Sequence, residues 1–319
     1  MVELCNAERL GWMGMTIATA ITAGTPCRLH SCFEHGKLRT GAVKSRKARS
    51  LSALLQITVP KRLFTHFYLL CVVTCAVVFL DLFFYGGSLF TARIQSNSAC
   101  SRVAARSERV AEMEAEGLLC LLLLAIHAAR RLWECVAVTA WGSSRMSLIA
   151  YVVGVVHYLL MILTMLVEAP PLGRLAGEAG SDWGRVLVTT AESVNLRHSA
   201  ALAMFVVGSV HQHEAIVHLA TLRKSQVTTS TATTTTYSIP TKGWFQYVSC
   251  PHYFAELLIY AAFVVLGGFK GRGLGQGYLV AFSWVFANQS LVAGRAHAWY
   301  LQKFEGYPRG RKRLIPGVW

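Results

Sequence analysis

The sequence predicts an all-α, polytopic integral membrane protein with six to seven transmembrane helices. Three observations lead there. Apolar residues make up 54% of the 319-residue chain and charged residues only 15%, against roughly 25% charged in an ordinary soluble protein. Six stretches reach the length of about 20 mainly apolar residues that spans a bilayer. They lie at roughly 64–86, 117–141, 146–169, 198–221, 251–269 and 274–300. Lys and Arg crowd into alternate connections between these stretches, the asymmetry that orients membrane proteins.

A seventh stretch, about 10–24, is shorter and rich in Gly, Thr and Ala. It reads either as a first helix or as an N-terminus without defined structure. With seven helices, three basic segments fall on one side. These are 28–62, 222–250 with Arg223, Lys224 and Lys242, and the tail with Lys303, Arg309, Arg311, Lys312 and Arg313. The opposite side receives 87–116 and 170–197, where acids and bases are mixed. The basic side marks the cytosol, so a cytosolic C-terminus is expected. The net charge of +15 then faces anionic lipid or a phosphorylated cofactor rather than nucleic acid.

The start of the chain carries Glu3, Glu8 and Arg9 ahead of a weak apolar run, so no cleavable signal peptide is expected. Nine cysteines form no CxxC pair and read as small buried hydrophobes, not as a disulfide framework or a zinc site. The Thr-rich run 225–236 reads as a flexible insertion. Three functional segments are expected. Residues 1–63 form an N-terminal segment with a basic loop. Residues 64–197 form helices on the substrate side, and 198–319 form the cofactor half.

Ionisable residues at membrane depth are costly and usually face a cavity or a partner. His127 and Arg131 are four apart and share a helical face, as do Arg130 and Glu134. Such a set can be a packing ion pair. Two arginines nevertheless exceed the charge of one glutamate, and the surplus favours an anion. His211, Gln212, His213, Glu214 and His218 raise a metal reading, but no HxxxH or HxxHH box accompanies them. A polar cofactor lining is preferred, and no metal is expected. Pro251 suits the first turn of a helix, which places His252 and Glu256 four apart on one face. Glu256 there serves either the helix dipole or a site. The tail 296–312 interleaves basic and aromatic residues, which fits anionic lipid or a cofactor. No GxGxxG, GxxxxGK[ST] or GxSxG occurs, so any nucleotide must bind between membrane helices and loops.

The tail also carries a resemblance. Phe304-Glu305-Gly306-Tyr307-Pro308, followed by Arg311-Lys312 and Leu314-Ile315-Pro316, strongly resembles the C-terminus of steroid 5α-reductases. The likeness continues upstream through His297 and Tyr300, Pro251-His252-Tyr253 with Glu256, Tyr237 with Ile239-Pro240, and Leu222-Arg223-Lys224. It covers roughly 200–319, and more loosely the chain from about 59. Three stretches are similar to the polyprenol reductase branch: 59–68 (VPKRLFTHFY), 130–135 (RRLWEC) and His211-Gln212 with its spacing to Leu222-Arg223-Lys224.

The resemblance implies a seven-helix, NADPH-dependent reductase of the endoplasmic reticulum that saturates the α-isoprene unit of a polyprenyl lipid. It implies cofactor contacts from Arg131, Arg223, Tyr237, His252, Glu256, Tyr300 and Arg311, with Tyr307 in the tail motif and Lys224 and Lys312 beside the phosphates. Steroid-acting members often carry Asn at the place of His252, Arg at that of Ser238 and a substrate-facing Tyr at that of Ala128. The last departure argues against a steroid ketone and leaves the proton donor unassigned. Hydride addition needs an electrophilic carbon, which an α,β-unsaturated aldehyde offers and an allylic alcohol does not. Polyprenal is therefore the expected substrate and dolichal the product. Glu134, His127 and His297 are the candidates at the carbonyl end. The alternatives are a 3-oxo-Δ4 steroid reductase, an isoprenylcysteine-type methyltransferase, an enoyl-CoA reductase and a non-catalytic lipid-binding protein. The basic tail and the RRLWEC stretch disfavour the methyltransferase and the enoyl-CoA reductase. The repeated four-residue spacing of His and Glu disfavours the lipid-binding protein.

Overall fold

The computed structural model describes residues 7–15, 57–96, 110–169, 195–229, 237–267 and 275–319. The structure is helical. Helix α1 covers 7–15, α2 Phe64–Tyr85, α3 Thr91–Ser96, α4 Val110–Trp133, α5 Leu148–Glu168, α6 Leu196–Thr229, α7 Pro251–Gly267 and α8 Gln276–Lys303. All six long apolar stretches are helices. Of these, α2 with the turn before it (Lys61–Tyr85), α5, and Leu196–Ser225 of α6 are long and apolar enough to cross a membrane, while α7 is a shorter apolar helix. Leu69, Val73, Val77, Leu80 and Phe84 stand exposed along α2. Their spacing of three and four makes one outward apolar stripe, as lipid contact requires.

The helix boundaries differ from the expected ones for identifiable reasons. Helix α4 begins at Val110, ahead of the apolar run, because Glu112, Glu114 and Glu116 are good helix formers that hydropathy does not register. Its α-helical part ends at Trp133 and widens into a π turn over Glu134–Val138. Helix α6 is 34 residues long, about 51 Å at 1.5 Å per residue, against a hydrocarbon core of roughly 30 Å. It therefore carries Arg223 and Lys224 past the apolar zone. Residues 225–229 continue α6, so the Thr-rich run starts as helix; 230–236 lie outside the described residues. Of the 10–24 stretch, 10–15 is helical and the remainder lies outside them.

One short sheet was not anticipated. β1 (Thr58–Pro60) pairs antiparallel with β2 (Arg145–Ser147), with Val59 opposite Met146. Three-residue strands leave no periodicity to read. Arg145 Nε donates to Thr58 Oγ1 at 2.8 Å, Lys61 N donates to Ser144 O at 3.1 Å, and Ser147 Oγ caps α5 by accepting from Ala150 N at 3.1 Å. The sheet ties the entry of α2 to the entry of α5 and thus fixes which end of the bundle they share. The isolated bridge between Val248 and Lys312 ties the α6–α7 connection to the tail in the same manner.

The other end is closed by polar contacts around the buried Glu168. Arg9 donates to Glu168 and Gln276, each at 3.0 Å. The Glu168 carboxylate accepts from Gly275 N and Gly277 N at 2.6 and 2.9 Å, capping α8. Trp12 is fully buried, and its Nε1 donates to Thr164 Oγ1 at 3.0 Å. Helix α2 stops at Gly86, whose φ of 57° suits a residue without a Cβ. Asp81 then accepts from Leu89 N and Thr91 N at 2.9 and 2.8 Å.

Between the ends, small residues set the helix spacing, as in other membrane bundles. A Cβ added at Gly208 of α6 would lie 2.8 Å from Ala255 O and 2.9 Å from Ile259 Cγ1 of α7. That close approach positions Gln212, one turn further along α6, against the first turns of α7.

Candidate active site

Part of the polar set singled out from the sequence, on α4, α6 and α7, forms one buried network. Glu134 sits at the opening of the π turn, completely buried. Arg130 Nη1 donates to its Oε1 at 2.6 Å, Arg131 Nη1 donates to its Oε2, and His213 Nδ1 lies 2.9 Å from Oε1. Arg130 Nη2 reaches across to Gln212 Oε1 at 2.5 Å, and Gln212 Nε2 donates to Glu256. His127, also fully buried, has Nδ1 3.3 Å from Arg130 Nη2 and Nε2 3.5 Å from Glu256 Oε1. The two arginines of α4 therefore share Glu134, and Arg130 is linked to a second carboxylate, Glu256, through Gln212. The charge surplus inferred from α4 alone is offset by Glu256 of α7, which helical spacing within α4 could not reveal. Nor does Glu256 serve only the helix dipole: Gln212 donates to it, and His127 lies within 3.5 Å.

One wall of this network opens on a cavity of about 360 Å³. Lys61, Tyr68, Arg131, Arg223, His252 and Glu256 line it, with Phe64, Trp141 and Tyr253 as aromatic walls and Asn288 and Gln289 of α8 opposite. Its volume lies in the range of small-ligand sites, roughly 300–1,000 Å³. Arg131 reaches it beside Tyr68, whose hydroxyl accepts from Arg131 Nε at 3.2 Å and Nη2 at 3.1 Å. Arg223 enters at the rim. An added Cβ on Gly142 would lie 1.7 Å from its Nη2, so the glycine leaves the space the guanidinium occupies. Thr139 Oγ1 and Trp141 Nε1 are committed to Glu134 O at 2.9 Å and Cys135 O at 2.7 Å. Glu134 O also accepts the backbone N–H of Thr139, five residues on, at 2.8 Å; that wide spacing is the π turn, a feature frequent at functional sites.

A second cluster forms where the tail folds back. Ser249 Oγ lies 2.6 Å from both His297 Nδ1 and Tyr307 Oη. Tyr300 and Tyr307 stack with centroids 5.1 Å apart and planes 9° apart. Arg311 is buried, donates from Nη1 to Pro240 O at 2.8 Å, and lies over the Tyr307 ring. Tyr237 meets Trp299 edge-on at 5.3 Å. Lys224 and Lys312 project at the surface. Burial pushes the neighbouring Cys250 thiol up to about 12.

Of the expected cofactor residues, Arg131, Arg223, His252 and Glu256 line the cavity, whereas Tyr300, Tyr307 and Arg311 share the tail cluster with His297. Glu134 and His127 stand behind the cavity wall, bound to the residues that line it. The histidines of α6 diverge. His211 stacks on Trp244 at 3.9 Å and lies 2.8 Å from Glu214, His213 turns to Glu134, and His218 Nε2 accepts from Thr241 N at 3.2 Å. Among the described residues no three His, Cys, Asp or Glu side chains are grouped as metal ligands. Sequence reasoning missed Tyr68, Ser249 and Lys61. Tyr68 lay within the quoted 59–68 stretch, but nothing local distinguishes it from a core tyrosine.

A dinucleotide's chemistry fits these residues. His252 Nδ1 and Arg311 Nε are buried polar atoms with no hydrogen-bond partner among the described residues, and buried polar atoms are normally paired. With Arg131 already paired to Glu134, Arg223 and Lys61 are the cations that the cavity rim offers to an anionic group.

Residues 173–319 match the family model described as 3-oxo-5-alpha-steroid 4-dehydrogenase. The chain is 30% identical to the polyprenal reductase of Homo sapiens, over 98% of this chain and 95% of that protein. It is 28% identical to the polyprenal reductase of Caenorhabditis elegans, over 96% and 93%, and 29% identical to polyprenal reductase 1 of Oryza sativa subsp. indica, over 91% and 88%. Nearly full-length coverage leaves the whole bundle, and not the tail alone, shared with these proteins. This chain therefore belongs to the steroid 5α-reductase family, on its polyprenal reductase branch, and is a membrane oxidoreductase of the class acting on CH–CH groups.

Proposed function

We propose that this protein reduces the α,β double bond of a long-chain polyprenal to give dolichal, with NADPH as the reductant, in dolichol synthesis for protein N-glycosylation. The observation that carries the reading is the cavity shared by α2, α4, α6 and α7. It joins a cationic rim to a buried polar network inside an otherwise apolar bundle. The similarity to polyprenal reductases along almost the whole chain supports the same substrate class. Ala128 supports it too: this fully buried residue belongs to the apolar core and offers no hydroxyl to a steroid ketone.

Arg223, Lys61 and Lys224 would hold the cofactor phosphates at the rim, and Arg311 and Lys312 would extend that surface along the tail. Charge-assisted pairs of this kind are roughly twice as strong as neutral hydrogen bonds. Tyr237, Tyr300 and Tyr307 would supply aromatic faces. His252 and Glu256 would receive the carboxamide end, His252 through its unpaired Nδ1. The bound cofactor supplies hydride for the β-carbon of the enal. Arg131 orients the carbonyl end, and Glu134 and His127 act as positioning residues by holding Arg131, Arg130 and Glu256. His297 holds Ser249 and Tyr307 in the tail. Segment 64–197 contributes most of the lipid side and 198–319 most of the cofactor side. The prenyl tail stays in the bilayer against the exposed apolar faces. The protein resides in the endoplasmic reticulum membrane with the C-terminus in the cytosol. β1, β2, Arg223 and the tail then share the cytosolic end.

The test is cofactor oxidation by purified, detergent-solubilised protein supplied in parallel with polyprenal, polyprenol and a 3-oxo-Δ4 steroid. Turnover with polyprenal, yielding dolichal, is the expected result. Turnover with the alcohol alone would sink the aldehyde chemistry, and turnover with the steroid alone would move the protein to the hormone-type branch. Labelled S-adenosylmethionine binding in place of NADPH would return the methyltransferase reading.

A further inference from the structure

We propose that Tyr68 is the catalytic acid at the substrate carbonyl oxygen; the proposal rests on the polyprenal reading and deepens it. The argument is one of hydrogen-bond inventory. A guanidinium has donors and no acceptor. Both Arg131 contacts to the Tyr68 hydroxyl, at 3.2 and 3.1 Å, are therefore donations to its oxygen. The single O–H of Tyr68 has to point elsewhere, and Tyr68 lines the cavity. Edge-on packing against Tyr158 at 5.4 Å and burial to 8% exposure leave the ring little freedom. The hydroxyl is thus presented in a fixed direction with a cation behind it.

Other groups are less suited. Glu134 is fully buried, and its two oxygens are taken by Arg130, Arg131 and His213. His127 is buried behind the wall. The donors of Thr139 and Trp141 are used on backbone carbonyls. Tyr253 also reaches the cavity, but no guanidinium among the described residues donates to its hydroxyl, so loss of its proton would leave an unsupported phenolate at low dielectric. Tyr68 alone among the described lining hydroxyls carries two guanidinium N–H groups to stabilise that charge. Its place on α2, against Arg131 of α4, supplies from a different helix a hydroxyl of the kind that Ala128 cannot.

The step balances. Hydride adds to the β-carbon, the Cα–Cβ π electrons form a new Cα–C(O) double bond, and the carbonyl π pair moves onto oxygen. Tyr68 gives its proton to that oxygen, leaving an enol and a phenolate held by Arg131. The enol returns to the aldehyde by taking a proton at Cα and losing one from oxygen, and water restores the Tyr68 proton. The net addition is one hydride and one proton. Preorganised stabilisation of a developing oxyanion is commonly the largest catalytic effect, and a positioned acid contributes about a hundredfold or more.

The test is single-turnover hydride transfer from NADPH to polyprenal, measured on the wild type, on Tyr68→Phe and on proteins carrying fluorotyrosines of increasing acidity at position 68. The wild-type reaction checks the underlying reading by itself: no turnover there removes the polyprenal assignment whatever Tyr68 does. Given wild-type turnover, Tyr68→Phe should slow the step by about a hundredfold or more with cofactor affinity unchanged. The fluorotyrosines, which keep the ring and the Arg131 contacts, should change the rate progressively with phenol acidity. A Tyr68→Phe rate within about threefold of wild type, or equal rates for all the fluorotyrosines, overturns the proposal. The fluorotyrosine series also decides the matter if Tyr68→Phe fails to fold.

Discussion

Replacing Glu134 by Gln probes the network that builds the site. The native carboxylate is completely buried and receives Arg130 at 2.6 Å, Arg131, and His213 at 2.9 Å. Gln keeps the shape but turns an NH₂ group toward a guanidinium, donor against donor, and removes the charge that two cations share. Removing one partner of a buried pair costs about 3–5 kcal/mol. The guanidinium side chains here retain 19% and 17% exposure, which places the expected loss near the lower figure, about 3 kcal/mol. For a chain of this size that corresponds to a fall in Tm of roughly 5–10 °C. The protein itself offers the assay. Cys71, Cys75, Cys120, Cys135 and Cys250 are buried thiols outside any disulfide, and Cys250 is further protected by a thiol pushed up to about 12. A thiol-reactive fluorophore therefore reports unfolding in detergent. Activity should fall with stability because Arg131 loses its anchor beside Tyr68. Adding Arg130→Met to Glu134→Gln should recover part of the lost Tm, since one uncompensated cation disappears. A Glu134→Gln protein melting within about 1 °C of wild type would refute the claim that this carboxylate holds the two arginines.

Three further outcomes are expected. Arg223→Ala should raise the KM for NADPH by about tenfold or more, the equivalent of one lost charge-assisted contact, with an unchanged melting curve; an unaltered KM counts against a phosphate role. Gly142→Ala should move the same parameter in the same direction but less, because the added methyl displaces the flexible end of Arg223 and not the backbone; wild-type kinetics would show that the guanidinium has no fixed place. Gly208→Leu should destabilise the protein by about 1–3 kcal/mol through overpacking against Ala255 and Ile259, and should cost further activity by moving Gln212 off Glu256; thermal melts paired with turnover measure both effects.

The helical character of the chain and the places of its long helices were legible in the sequence, because each helix announces itself locally. Long apolar runs mark α2, α4, α5, α6, α7 and α8, and the distribution of Lys and Arg separates the two ends. The sequence by itself also determined the family, since motifs such as 304–308 and 130–135 are contiguous in the chain. Helical spacing correctly paired Arg130 with Glu134. Tertiary structure alone decided how charges on different helices meet. Glu256 offsets the arginines of α4 only because Gly208 lets α6 approach α7 closely enough for Gln212 to bridge them. It also decided that His297 joins Ser249 and Tyr307 and not the cavity, and that Tyr68, one aromatic residue in an apolar run, presents its hydroxyl to Arg131. The physical reason is the same in each case. Periodicity records which residues share a face of one helix, whereas the chemistry of a bundle arises between helices, where crossing points are set by packing that no single segment contains.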